Sequence, residues 1–262
     1  ILNLDKDSVQ TQLINFIEIY KPIYTEINNI IPDISIYFKE IENGLKRVHY
    51  YFPAYKLPTQ IISYIGLINS FASVLTTNTL AIGLQQYLGE NNIYYNTPDM
   101  QLAVPYYIAR TFDKKYITSK ALTNIVDDLY PNTNKTNNLI TEMVEQGKKM
   151  YLLKKFLPQE PDSIIFGFTN AHLQNTIKNE QDIWTYFLQN KLLFSNEPGT
   201  IRDFIGIGPY CTAISEQLPA NLGSFIGYKI VLSWMKNYHK TSLDNLLKKD
   251  NLQLFNDSKY KP

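Results

Sequence analysis

The sequence predicts an α+β fold that is mostly helical, with a small antiparallel sheet in its N-terminal third packed by helices. Two observations lead to this prediction. Between about residues 59 and 84 the chain is rich in β-branched residues, which favour strands. Elsewhere, and throughout the chain after about residue 98, apolar residues recur every three or four positions. That spacing is typical of amphipathic helices.

The first 50 residues are predicted to form a helical N-terminal extension. Residues 7–20 place apolar side chains on one side of a helix, namely Val9, Leu13, Phe16 and Ile17. A second helix is expected at about residues 34–48.

Residues 51–98 are predicted to contain the sheet. The segment 59–68 follows Pro58 and is rich in isoleucine, which indicates a strand. Residues 71–84 carry a Thr-Asn pair near their centre and predict a hairpin. Together these segments are expected to form a small antiparallel sheet.

Residues 99–262 are predicted to be helix and loop. Helices are expected at 120–130, at 138–151, from an N-cap at Asn179, at 222–235 and, as a short one, from about Ser242. Gly223 and Gly227 lie four residues apart on one helix face, which permits close approach of another backbone. We find no repeat and no long linker, so residues 1–262 are expected to form one domain.

The composition argues against several classes of protein. The chain has 25 basic and 24 acidic residues and a net charge of +1, which makes nucleic acid an unfavourable partner. No apolar run approaches the roughly 18 residues of a membrane-spanning helix. Cys211 is the single cysteine, so an internal disulfide and a cysteine-rich zinc site are excluded.

Motifs of catalysis are missing as well. His49, His172 and His239 lie far apart and none belongs to an H-x-x-x-H pair, so hydrogen-bonded or surface roles are favoured over a metal site. The sequence has no G-x-S-x-G, no P-loop and no G-x-G-x-x-G between a strand and a helix. We therefore expect no cofactor.

Two local features conflict with helix preferences. Asp127 and Asp128 fall at the C-terminal end of a predicted helix, where the helix dipole disfavours carboxylates. Gly147 falls inside another, where glycine costs about 1 kcal/mol relative to alanine. Each feature is consistent with a structural role, as a solvated pair and as a helix contact, or with a functional site.

Six stretches in order resemble the gliding-motility lipoprotein family GldB. They are Y-F-P-A-Y-K-L-P (51–58), I-G-L-Q-Q-Y-L-G (82–89), E-Q-G-K-K-M-Y (145–151), N-E-Q-D-I-W-T-Y-F (179–187), G-S-F-I-G-Y-K-I-V (223–231) and the terminal S-K-Y-K-P. The resemblance implies a role in gliding motility and the associated secretion machinery, by binding other envelope proteins. It also implies a location on the periplasmic side of a membrane, with a lipid on a cysteine upstream of Ile1.

This family in turn looks like a branch of predicted zinc-dependent peptidases with a zincin-like core. In those relatives one helix carries H-E-x-x-H and the next carries E-G-x-A. The matching positions here are Asp127, Asp128 and Pro131, and then Gln146 before Gly147. Proline offers no ligand and neutral glutamine is a poor one for zinc. The resemblance thus implies a relict cleft without metal, with five candidate residues: Asp127, Asp128, Glu145, Gln146 and Gly147.

The function favoured by the sequence is a non-catalytic lipoprotein that acts by protein binding and carries no stoichiometric zinc. One alternative is a metallopeptidase with unusual ligands, for example Asp127, Glu142 or Glu145 with a histidine from elsewhere. Another is a domain that binds a peptide or a glycan in the relict cleft.

Overall fold

The computed structural model describes residues 6–132 and 138–262, with side chains from residue 9 onward. Within those residues the chain is mostly helical and has one small sheet. The helices are α1 Lys6–Ile30, α2 Ser35–Tyr51, α3 Pro98–Ala103, α4 Tyr106–Ala109, α5 Ile117–Leu129, α6 Leu139–Phe156, α7 Asp162–Phe166, α8 Asn170–Lys178, α9 Glu180–Gln189, α10 Pro198–Ile205, α11 Leu222–Asn237, α12 Leu243–Lys248 and α13 Asn251–Ser258. The strands are β1 Gln60–Tyr64, β2 Ser73–Leu75 and β3 Thr79–Gly83.

The long helices confirm the predictions from apolar periodicity, whereas several short helices between them were not predicted. Asn138 caps α6, because its side-chain oxygen accepts a hydrogen bond from Thr141 N at 3.1 Å. Asn179 does occupy the N-cap position of α9, but its side chain makes no capping bond. It donates instead to the carbonyl of Asn175 at 2.7 Å, so it acts on the end of α8.

The sheet is mixed, and the prediction of an antiparallel sheet is wrong for β1. The hairpin of β2 and β3 is confirmed, but β1 pairs with β3 in parallel, and the strand order is β1-β3-β2. The chain between β1 and β2 must therefore cross the end of β3. Two buried side chains directly after β3 hold this crossing: Gln85 accepts from Gly66 N at 3.0 Å, and Gln86 donates to Ile68 O at 3.2 Å.

One face of the sheet packs on α5. Leu80 and Ile82 of β3 are fully buried and lie opposite Leu75 and Ser73 of β2. Asn124 of α5 donates to Ser73 Oγ at 2.6 Å. This contact fixes β2, one of the two edge strands, beside the C-terminal half of α5.

The helical part is organised around the contact of α6 with α11. A Cβ atom added to Gly147 would lie 2.6 Å from the main-chain nitrogen of Tyr228, and one added to Gly227 would overlap the carbonyl of Met143. The two backbones therefore touch, which confirms the close approach expected from the glycines. One cluster of buried apolar residues extends from Ile23 to Leu254.

The predicted apolar face at the start of α1 does not pack on this core. Val9, Leu13 and Ile17 are 42%, 56% and 57% exposed, and the buried residues of α1 begin at Ile23. Periodicity correctly predicted the helix, but the core extends only to its C-terminal part. None of the described helices combines the length and apolar character needed to cross a membrane.

Candidate functional site

Asp127 lies near the C-terminal end of α5 and forms an ion pair with α6. Lys149 Nζ is 2.6 Å from Asp127 Oδ1, and the side chains are 8% and 53% exposed. The lysine charge offsets the unfavourable interaction of the carboxylate with the helix C-terminus. A partner from the neighbouring helix thus relieves the local conflict at this position.

Asp128, the next residue, is exposed and points toward the segment after α2. Its Oδ2 accepts a hydrogen bond from the Tyr55 hydroxyl at 2.7 Å. The pKa of Tyr55 is raised mainly by burial of its hydroxyl and, to a smaller extent, by this hydrogen bond to a carboxylate. The two adjacent aspartates therefore have different partners.

Glu145 lies in the interior, 4% exposed. Its Oε2 accepts hydrogen bonds from the Tyr130 hydroxyl at 2.6 Å and from Asn251 Nδ2 at 2.7 Å. Its Oε1 and the Asn251 Oδ1 are buried without a hydrogen-bond partner in the described residues. The pKa of Tyr130 is raised mainly by burial and, to a smaller extent, by the hydrogen bond to Glu145 and the charge of that carboxylate.

Lys148 completes a buried polar cluster, defined here as Tyr130, Glu145, Lys148 and Asn251. Its Nζ donates to Lys249 O at 2.5 Å and lies 3.4 Å from the Tyr130 hydroxyl oxygen. Burial lowers the pKa of Lys148 to about 8, opposed by the charge of Glu145. The cluster links the end of α5, the middle of α6 and the C-terminal helices.

Gly147 contacts α11 on the other side of α6. Because two residues correspond to about 200° around a helix, Glu145 and Gly147 face nearly opposite directions. Gln146, at the predicted third ligand position, is half-buried. Four of the predicted cleft residues thus have different environments: Asp127 an ion pair, Asp128 a surface hydrogen bond, Glu145 a buried cluster and Gly147 a helix contact. The zincin-like core stays a prediction.

The histidines and the cysteine lie apart from these residues. His49 is on α2, His172 on α8 and His239 after α11. In residues 6–132 and 138–262 no group of three or more histidine, cysteine, aspartate or glutamate side chains could hold a metal ion. Cys211 is buried, which raises the pKa of its thiol and makes it a poor nucleophile.

An open groove of about 1050 Å³ lies beside β2. Asp128 is the predicted site residue that lines it, together with Tyr55, Lys56, Phe71 and the strand β2 itself. Phe71 is 77% exposed. The walls therefore offer two aromatic rings, one acidic and one basic side chain, and the edge of a sheet.

On the side away from β3, the strand β2 has main-chain N–H and C=O groups with which no backbone group of the described residues pairs. Ala72 and Thr76, on either side of the strand, are hydrogen-bonded to β3 at N···O distances of 2.9 Å. Because hydrogen-bonded positions alternate along an antiparallel strand, Val74 pairs with β3 as well, whereas the N–H and C=O groups of Ser73 and Leu75 point outward. An unpaired edge of this kind is a template for a further strand.

Sequence reasoning missed this groove. It assigned 71–84 correctly to a hairpin, but β2 becomes an edge strand only because β1 pairs on the other side of β3. Tyr55 did fall in one of the family-like stretches (51–58), which was the available signal.

The fold and the groove define a class: a mostly helical α+β domain whose small mixed sheet places the edge strand β2 beside an aromatic groove. The chain belongs to the family of the gliding motility protein GldB, whose family model matches residues 1–262. No curated protein and no solved structure matches it significantly. Family membership implies a role in gliding motility and a place in the cell envelope.

Proposed function

We propose that this protein is a non-catalytic lipoprotein that serves gliding motility and the associated secretion machinery by binding another envelope protein. Membership of the GldB family supports the motility role. The observation that supports the binding step is the unpaired edge of β2 inside the groove. All residues 1–262 act as one domain in this proposal.

The partner in this proposal contributes an extended segment that adds to β2. The outward N–H and C=O groups of Ser73 and Leu75 would pair with its main chain, as in other cases of strand addition. Phe71 and Tyr55 would contact apolar side chains of the segment. Lys56 and Asp128 provide one charge of each sign at the groove, which favours a segment of mixed charge.

The engagement of the candidate catalytic residues supports a non-catalytic role. Asp127 is paired with Lys149 at 2.6 Å, and Glu145 accepts two hydrogen bonds inside the protein. Of the three carboxylates in the metallopeptidase hypothesis, Asp127 and Glu145 would have to leave these partners before either could bind a metal. Binding of a free peptide is the second candidate, because the same strand edge would accept it.

The binding proposal predicts that Phe71→Ser abolishes partner binding without unfolding the protein. Phe71 is 77% exposed, so its loss removes little buried area. A photo-crosslinking amino acid at Thr77, at the end of the groove, should give one discrete adduct with an envelope protein in the native host. That adduct and gliding should both be lost in Phe71→Ser.

Two further variants make this test specific. Leu102→Ser removes another exposed apolar side chain, 87% exposed and outside the groove, and should leave the adduct and gliding intact. Leu75→Pro removes an outward N–H that β3 does not use and should also abolish the adduct. Normal gliding and an unchanged adduct in both groove variants would refute strand addition. Crosslinking to short peptides, with no adduct to another protein, would favour the second candidate, which is binding of a free peptide.

Localisation gives an independent prediction. The full-length protein should fractionate with membranes through an acylated cysteine upstream of Ile1, because a multiply acylated cysteine anchors stably. Replacing that cysteine by serine should release a folded protein. Recovery of the native protein from the soluble cytoplasmic fraction would contradict the proposed anchor.

A further inference from the structure

A second cavity, separate from the β2 groove, lies between the N-terminal half of α5, the end of α7 and the loop before α11. Its volume is about 320 Å³, at the lower end of the range for small-molecule sites. Much of its wall is apolar, including Ile108, Leu153 and Phe166. Ile207 also lines it and is 76% exposed, so the cavity opens to solvent.

The charged residues of this cavity are both cations. Arg110 and Lys120 line it, and no aspartate or glutamate among the described residues does. Neither cation forms an ion pair in the part of the chain that the structure describes. The described lining of this cavity therefore offers two basic side chains and no acidic one. On its other side Arg110 also lines a neighbouring pocket that contains Glu40, Glu90 and Glu160.

Both basic side chains also have nitrogen atoms that could still donate a hydrogen bond to a ligand. Arg110 donates through Nη2 to Gly167 O at 2.7 Å, but its Nε–H is buried and finds no partner among residues 6–132 and 138–262. Lys120 Nζ lies 4.6 Å from the ring centroid of Phe112 and 5.8 Å from that of Tyr87, so its neighbours among the described residues are aromatic rings and not an anion. Burial lowers the pKa of Lys120 to about 7, with no acidic group to oppose the shift.

We propose that this cavity binds a small ligand with an apolar body and a carboxylate, which Arg110 and Lys120 recognise. A buried donor without a partner is costly, and an unpaired buried cation is costly as well. A carboxylate would relieve both costs, since guanidinium groups form strong, directional bonds with it. The carboxylate belongs either to a free acyl chain or to the C-terminus of an apolar peptide.

Direct titration of the domain tests this site. Octanoate stands for the acyl chain and an N-acetylated dipeptide ending in leucine for the peptide terminus. We expect one of them to bind with a stoichiometry of one and to shift the amide signals of Ser119 and Phe168. The neutral analogue octanamide, or the amidated dipeptide, should bind about tenfold or more weakly, a difference typical of a lost charged contact.

Matched variants identify the residues. Lys120→Gln and Arg110→Gln should each weaken carboxylate binding by about tenfold, whereas Lys46→Gln, at an exposed position of α2, should not. Binding should also raise the pKa of Lys120, measured by NMR of its side chain. Two results would overturn the proposal: no saturable binding of either carboxylate, and equal binding of the neutral analogues. Failure here leaves strand addition at β2 untouched, because the cavity and the groove share no lining residue.

Discussion

Gly227→Ala is expected to lower the free energy of unfolding by at least about 3 kcal/mol, at the upper end of the usual cost of overpacking. The new Cβ would overlap the carbonyl of Met143, which belongs to the backbone of α6. A flexible side chain could move aside, but a helix backbone cannot do so without separating α6 from α11. Urea denaturation, with the slope checked for a constant change in exposed surface, measures the loss.

Two other glycines complete the test. Gly147→Leu should be at least as harmful, because its first side-chain atom already meets the backbone at Gly227 and Tyr228. Gly199→Ala, near the start of α10, meets nothing within 4 Å and should be neutral or slightly stabilising, since alanine favours helices. If Gly227→Ala unfolded like Gly199→Ala, the close helix contact would be wrong.

Glu145→Ala is expected to cost about 3–5 kcal/mol, the range for removing one member of a buried charged group. Tyr130 and Asn251 lose their acceptor, and Lys148 loses the negative charge that opposes its burial. Glu42→Ala, at an exposed position of α2, is the matched control and should change stability little. Equal stability of the two variants would contradict a structural role for the buried polar cluster.

The same cluster makes stability depend on pH. The pKa of Lys148 is about 8 in the folded protein and 10.5 for an ordinary lysine. Between these values the unfolded chain binds more protons than the folded one, so the free energy of unfolding should rise with pH. Lys120 adds to the rise from about pH 7. Denaturation curves at several pH values from about 7.5 to 9.5 should show a smaller slope for Lys148→Met, and an unchanged slope would refute the shifted pKa.

The outcomes expected for the Glu145 and Gly147 variants bear on the resemblance to zinc peptidases. If Glu145 and Gly147 are both structural, then the E-Q-G stretch was retained for packing and for the buried cluster, without any need for a metal. Stoichiometric zinc in the purified protein, lost together with a peptidase activity on chelation, would instead support the metallopeptidase hypothesis.

Local sequence patterns predicted most long helices correctly. The spacing of Leu122, Ile125, Val126 and Leu129 indicated α5, and the first three of these are fully or almost fully buried. The glycine pair of α11 indicated a close helix contact, which the backbone contact of Gly227 with α6 confirms. Both patterns depend on neighbours along one helix, so they can be read without knowing the partner.

The candidate site was predicted less well. Asp127 and Asp128 were correctly placed at a helix end, but their partners, Lys149 and Tyr55, come from other elements. The apolar face of α1 at Val9 and Leu13 was correctly assigned to a helix, although it stays exposed. A periodic pattern specifies which side chains share a face and leaves open what that face meets.

The sequence by itself determined the helical class, the hairpin of β2 and β3, the membership suggested by six family-like stretches and the position of a close glycine contact. All of these depend on local propensity and spacing. Only the tertiary structure decided that β1 pairs in parallel on the far side of β3, which leaves the edge of β2 open. It alone also brought Arg110 and Lys120 to one cavity whose described lining contains no acidic residue. Strand order and the meeting of distant charges depend on long-range packing, for which a single sequence contains no periodic signal.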